Sequence, residues 1–174
     1  MRQMILTPTA TEGTIKDNSV LRMIENSLSD GALYRYWDPR EGRGDVEAML
    51  SVLKAFWSAV PEVFPDAWSL PPRKSRLVHG VGIVSMGLVM DAISDRFRSE
   101  GPPTTQDFID DLLPLAPSCS WCSGYWDFGV DSSENRVLRR WNELQNTSKD
   151  VQLLANHLLS IYKERVWSKK VVNR

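Results

Sequence analysis

Apolar positions along this chain recur mainly at spacings of three and four, the repeat of a helix that buries one face. Val46, Met49, Leu50, Leu53, Trp57 and Val60 follow one another at spacings of three, one, three, four and three, which predicts a core-facing helix. Asp45 is suited to cap it, Glu47 places a negative charge in the first turn, and Pro61 predicts its end at Val60. Residues 62–68 predict one further turn before Leu70-Pro71-Pro72 forces an extended connection. Upstream, Val20, Leu21, Ile24 and Leu28 predict a helix over 19–29, with Gly31 as its C-terminal stop. Residues 33–45 mix Tyr34, Tyr36 and Trp37 with Pro39, Gly42 and Gly44, the pattern of a loop anchored by aromatics with a short strand.

A third helix is predicted over 75–97. It is apolar nearly all round, with Leu77, Val78, Val81, Ile83, Val84, Leu88, Val89, Met90 and Ile93, as expected of the buried centre of a bundle. Gly80, Val84, Gly87 and Asp91 form one row at spacings of four, three and four. A glycine in a helix interior costs about 1 kcal/mol relative to alanine, so the row predicts close approach of a neighbouring helix or ring. A ligand against the bare backbone is the alternative. After Gly101-Pro102-Pro103, Thr104 and Asp107 predict the cap of a fourth helix with Phe108, Ile109, Leu112 and Leu113 inward, closed by Pro114 and Pro117. Residues 118–131 read as irregular. A fifth helix is predicted over 133–145 from Val137, Leu138, Trp141 and Leu144. Thr147 or Ser148 caps a sixth, with Val151, Leu154, Leu158 and Ile161 in a stripe that Arg165 continues.

Alternating strand patterns are scarce, so the fold class expected is all-α: an irregular bundle of about six helices around a central apolar, glycine-containing helix. A flexible N-terminus is expected over residues 1–13, one helical domain over 14–167, and a basic tail over 168–174.

The 174 residues suit one domain, which at this size buries roughly 70% of its unfolded surface. Twenty-one Lys and Arg against 22 Asp and Glu leave a net charge of −1, so nucleic acid would have to be gripped by a local patch rather than by the whole surface. No apolar run reaches the ~18 residues of a membrane span. The first residues lack the roughly 7–15-residue apolar stretch of a secretory signal, and two cysteines make no disulfide framework. The cytoplasm is the expected compartment, with no membrane partner. The seven tryptophans are spread along the chain and are expected mainly in core or interface packing.

Three features carry candidate chemistry. Cys119-Ser-Trp-Cys122 has the C-x-x-C spacing that chelates zinc or forms a redox dithiol. A structural zinc needs four ligands, and the remaining soft candidates, His79 and His157, stand alone on different helices. Packed thiols are therefore the expected reading, with no cofactor. Asp91 lies in a nearly apolar helix and needs a partner if buried; Arg73, Lys74 and Arg76 are the candidates. Basic residues cluster at Arg73, Lys74 and Arg76, at Arg136, Arg139 and Arg140, and over 163–174, each near a tryptophan. Cations beside aromatics can grip phosphates and stack bases, and the first two clusters are the candidate nucleic-acid contacts.

The stretch from Leu50 through Phe56-Trp57, Val60-Pro61 and Phe64-Pro65-Asp66-Ala67-Trp68, continuing through Lys74 and His79-Gly80-Val81-Gly82 to Met90, resembles the C-terminal helical region of DGQHR-domain proteins. That bacterial group includes a regulator of DNA phosphorothioation. The resemblance covers residues 46–98 and extends in pattern to 150–162. The Asp-Gly-Gln-His-Arg motif that names the family is absent from this chain, so the resemblance carries over no catalytic residue. It implies a helical appendage, alone or as a short relative, linked to bacterial DNA modification or defence. The function expected is thus a non-enzymatic accessory module that binds a protein partner or itself. A nucleic-acid-binding accessory domain and a small Cys-x-x-Cys metal or redox protein are the alternatives.

Overall fold

The computed structural model describes residues 15–167 and the two-residue strand β1 (Met4–Ile5). Apart from that strand, the expected N-terminal segment 1–13 and the tail 168–174 lie outside the described residues. β1 pairs in parallel with β2 (Ile15–Lys16), which runs directly into α1 (Asp17–Asp30). A 3-10 turn (Leu33–Tyr36) leads into a small antiparallel pair, β3 (Trp37–Asp38) and β4 (Arg43–Gly44). Then come α2 (Val46–Val63), α3 (Pro65–Ser69), α4 (Gly80–Arg96) and α5 (Thr105–Leu112). A second 3-10 turn (Leu113–Ser118) precedes the hairpin of β5 (Tyr125–Val130) and β6 (Arg136–Arg140), and α6 (Ser148–Tyr162) ends in a π turn (Lys163–Trp167).

α4 is the dry centre of the molecule. Val81, Val84, Met86, Val89, Met90 and Ile93 have no exposed surface, and α1 and α6 both pack against it. The glycine row predicted from the sequence faces neighbours as expected. A β-carbon on Gly87 would fall 2.3 Å from Met23 Cγ of α1, and one on Gly80 would fall 2.4 Å from the Asn146 amide. The helix starts five residues later than predicted. His79 caps it, its Nδ1 accepting from Val81 N–H at 3.4 Å. Leu77 and Val78 are buried in the irregular segment before it. That segment crosses the first turn so closely that a β-carbon on Gly82 would lie 2.1 Å from the Arg76 carbonyl oxygen. Leu77 and Val78 are apolar because they are covered, not because they are helical.

α2 keeps its predicted cap, Asp45 accepting from Ala48 N–H at 2.9 Å. Val60 is buried and Met49, Leu53 and Trp57 pack half-buried against the core as the stripe predicts, but the most buried face is turned from it. Val46 and Leu50 are exposed, whereas Val52, Phe56, Ala59 and Val60 are buried. Both sets run at helical spacing; the buried one contains Phe56, whose ring meets Phe108 of α5 edge-on at 5.1 Å. Pro61 does not end α2, which continues to Val63 before Phe64 joins it to α3. The Thr104–Asp107 capping box of α5 is present as predicted. α1 likewise forms where expected, but its most buried positions are Ser19, Met23 and Ser27, with Leu21 outside.

The chain is mostly helical, but it is not all-α. The predicted fifth helix is instead β6, one strand of the β5–β6 hairpin. Asp131 seeds the reversal: its carboxylate accepts from the Ser133 and Asn135 N–H groups, and its own N–H donates to Asn135 O. Gly124 and Gly129 adopt φ values of +75° and +82°, outside the range of a helix. Val137, Leu138, Trp141 and Leu144 share helical spacing, yet only Leu144 is fully buried, and it lies beyond the strand.

Candidate functional site

β5 and β6 form an antiparallel ribbon with two different faces. Because side chains alternate along a strand, Trp126 turns inward and is fully buried, whereas Tyr125, on the opposite face, is 64% exposed. The register places Tyr125 opposite Arg140, Asp127 opposite Leu138 and Val130 opposite Arg136. The register shifts between Asp127 and Val130, where Gly129 takes its left-handed φ. The outer face thereby carries three exposed apolar side chains, Tyr125, Val130 and Leu138, among two exposed arginines. Arg136 is already engaged, its Nε and Nη2 donating to Asp127 Oδ2. That pairing holds the Asp127 carboxyl below its ordinary pKa.

The inner face is anchored by rings. Trp126 meets Trp121 edge-on at 5.0 Å, and His157 of α6 stands perpendicular to both Trp126 and Phe128, at 5.9 and 5.1 Å. Burial lowers the His157 pKa, and the nearby Arg165 charge acts in the same direction, while Asp127 opposes it.

Arg136 of the second basic cluster sits at the turn end of β6, away from the ribbon's base. Arg76 of the first cluster is tied to the segment that follows Arg140. Its backbone N–H donates to Trp121 O at 2.8 Å, its Nε to Leu144 O at 2.8 Å, and its Nη2 to Asn142 O at 2.6 Å. Nη1 reaches Pro72 O, and the guanidinium lies 5.7 Å from the Trp141 ring centroid. Only 9% of Arg76 is exposed, so it is a clasp between two chain segments rather than a group turned to solvent. Arg73 and Lys74, next to it in sequence, are exposed, as are Arg136 and Arg140; Arg139 is half-buried opposite Trp126.

The remaining candidates are tied into the fold. Cys119 Sγ lies 3.3 Å from the Leu115 carbonyl oxygen, and burial pushes its thiol pKa up to about 12, the opposite of what a metal-binding or redox thiolate needs. Cys122 is half-buried, and among the described residues no group of three or more His, Cys, Asp or Glu side chains is placed to hold a metal ion. Asp91 does not pair with Arg73, Lys74 or Arg76. Its Oδ1 accepts instead from Ser27 Oγ at 2.5 Å and Ala32 N–H at 2.9 Å, both at the end of α1. Arg76 is spent on carbonyls at the base of the hairpin.

Sequence reasoning missed Tyr125 and Val130 and assigned Leu138 to the interior. The signal was present in the alternation of Tyr125, Trp126, Asp127 and Phe128 and of residues 136–140, on either side of Asp131-Ser-Ser-Glu-Asn135. No helix among the described residues is long and apolar enough to cross a membrane. Comparison of the chain with protein-family models, with curated proteins and with solved structures finds no match.

Proposed function

We propose that this chain is a non-enzymatic interaction module that binds a protein partner through the outer face of the β5–β6 ribbon. The observation that carries this reading is the exposure of Tyr125, Val130 and Leu138 together on one solvent face of a two-stranded sheet. Apolar groups gathered in one patch, with cations at its rim, are the composition of an interaction surface rather than of ordinary solvated sheet. Arg140, exposed on the same face, favours a partner that presents carboxylates around an apolar anchor. The resemblance of residues 46–98 to DGQHR-domain proteins supports a partner from bacterial DNA-modification or defence machinery, acting in the cytoplasm. That stretch comprises α2, α3 and α4, so the likeness concerns the scaffold and the recognition surface lies outside it.

The test is affinity capture from the native host with wild-type protein and a Tyr125→Ser/Leu138→Ser variant, alongside light scattering to detect self-association. The variant should keep its melting temperature, because both side chains are exposed, and should lose the captured partner or the dimer. A wild-type chain that stays monomeric and captures nothing sinks the reading.

A second reading is a nucleic-acid contact, favoured by the Arg76 clasp, which ties the segment after the exposed Arg73 and Lys74 to the segment after Arg139 and Arg140. It requires fluorescence anisotropy with oligonucleotides to show salt-sensitive binding that weakens in an Arg73→Ala/Lys74→Ala/Arg140→Ala variant. Salt-insensitive or absent binding eliminates it.

A further inference from the structure

Away from the hairpin, a cleft of about 260 Å³ opens between the first 3-10 turn, α2, the end of α4 and the connection that follows it. Gly101, with φ +104°, turns the chain after α4, and Pro102 and Pro103 form one wall. Tyr36 and Val52 line the cleft on the α2 side. Its polar character comes from three residues. Arg35 and Arg98 both line it, and both guanidiniums are tethered to one carboxylate oxygen, Asp95 Oδ1, at 2.7 and 3.2 Å. Arg35 is fixed a second time, its Nη1 donating to the Ser94 carbonyl at 2.9 Å. Asp95 itself is not part of the lining, so the cleft presents two cations and no anion.

The third residue is Ser94. It lines the cleft, is 2% exposed, and its hydroxyl has no hydrogen-bond partner among the described residues. A buried hydroxyl left unpaired keeps its desolvation penalty, and alanine would avoid that cost at the same position. An unspent donor beside two pre-oriented guanidiniums in an apolar-walled recess is the arrangement of a ligand site.

We infer that this cleft binds a small organic carboxylate with a compact apolar body. The carboxylate would take the free N–H donors of Arg35 and Arg98, which suit its planar geometry. The apolar body would lie against Tyr36, Val52 and the two prolines, and Ser94 would donate to an oxygen of the ligand. The volume lies just below the roughly 300–1,000 Å³ of drug-sized sites, which sets the ligand at the scale of a single ring or a short branched chain. The inference is independent of the hairpin reading, since no lining residue belongs to β5 or β6.

The test titrates the full chain with benzoate, with its neutral isostere benzamide, and with inorganic phosphate. Binding is followed by calorimetry and by backbone amide NMR shifts. Saturable benzoate binding is expected, with shifts centred on Ser94 and Gly101, and roughly tenfold weaker binding of benzamide. Arg98→Ala, whose side chain is largely exposed, should fold normally and lose roughly tenfold in benzoate affinity. Ser94→Ala should weaken benzoate while leaving the unliganded fold intact or more stable. The inference is overturned if benzoate does not saturate, if Arg98→Ala or Ser94→Ala binds it as well as wild type, or if benzamide binds equally well. It is also overturned if phosphate binds as tightly, which would reduce the cleft to a cationic patch.

Discussion

Gly31 and Asp91 face each other so closely that a β-carbon on Gly31 would fall 2.4 Å from the Asp91 carboxylate. The glycine is there for space. α1 ends at Asp30, so Gly31 follows the helix as predicted, although it is not among the residues with positive φ, unlike Gly101, Gly124 and Gly129. Its N–H still closes α1 by donating to Ser27 O at 3.0 Å. The close approach lets the carboxylate reach past the glycine to Ser27 Oγ and Ala32 N–H. Gly31→Ala must push α1 and α4 apart and is expected to cost about 2–3 kcal/mol in urea denaturation. Gly87→Ala is the comparison, since the atom it meets belongs to the flexible Met23 side chain. It should cost less than Gly31→Ala; an equal or larger cost would mean the Asp91 contact is not the tighter constraint.

Asp91 itself should make the fold sensitive to pH. Burial raises its pKa above the ordinary 3.8, and the hydrogen bonds from Ser27 and Ala32 only partly oppose this. A carboxyl with a raised folded pKa favours folding while protonated, below the unfolded value, and loses that contribution as pH rises through the folded value. Asp91→Asn keeps an oxygen to accept both bonds and cannot ionise. Its stability relative to wild type should therefore increase from about pH 4 upward and then level off. Parallel denaturation curves at every pH would contradict this.

A second buried carboxylate is paired with a cation. Asp111 is fully buried, and its Oδ2 accepts from Arg96 Nε at 2.8 Å and Tyr162 O–H at 2.9 Å, with Arg96 Nη2 in ion-pair contact at 2.7 Å. This cluster ties α4, α5 and α6 together. Tyr162→Phe removes one neutral donor and should cost about 1–2 kcal/mol. Asp111→Ala leaves the Arg96 guanidinium uncompensated and should cost about 3–5 kcal/mol. Adding Arg96→Leu to Asp111→Ala should recover part of that loss, a coupling that a double-mutant cycle measures directly.

How much of this was legible depended on whether a signal was local. The Asp45, Thr104 and Thr147 caps were readable because the capping atom and its N–H lie three residues apart or fewer. The central helix was readable because a run of residues with no polar face has few other places to go. The face of α2 was not, because stripes through Leu50 and through Phe56 are equally periodic and only Phe108 of α5 decides between them. The hairpin was misread as helix because residues 137–144 happen to satisfy the longer repeat, while the turn that decides the matter rests on Asp131. The Arg35, Ser94 and Arg98 cleft had no sequence signature: Arg35 and Arg98 lie far apart and meet only through Asp95.

His157 links the fold's pH response to the proposed recognition surface. Its ring stands against Trp126 and Phe128 on the ribbon's inner face, so the charge it carries is felt where the hairpin docks on α6. Burial lowers its pKa from 6.5, the Arg165 charge lowers it further, and Asp127 is the one carboxylate that opposes them. A histidine with a depressed folded pKa contributes stability above its unfolded value and loses it as pH falls through the folded value. Acid should therefore loosen the hairpin before it unfolds the helices. Amide protection factors across β5 and β6, referred to the intrinsic exchange rate at each pH, are expected to fall below about pH 6.5, while those of α4 stay high. His157→Phe keeps a ring in place and cannot be protonated, so it should abolish this selective change. Reduced protection in α4 at the same pH, or an unchanged acid response in His157→Phe, would place the sensitivity elsewhere.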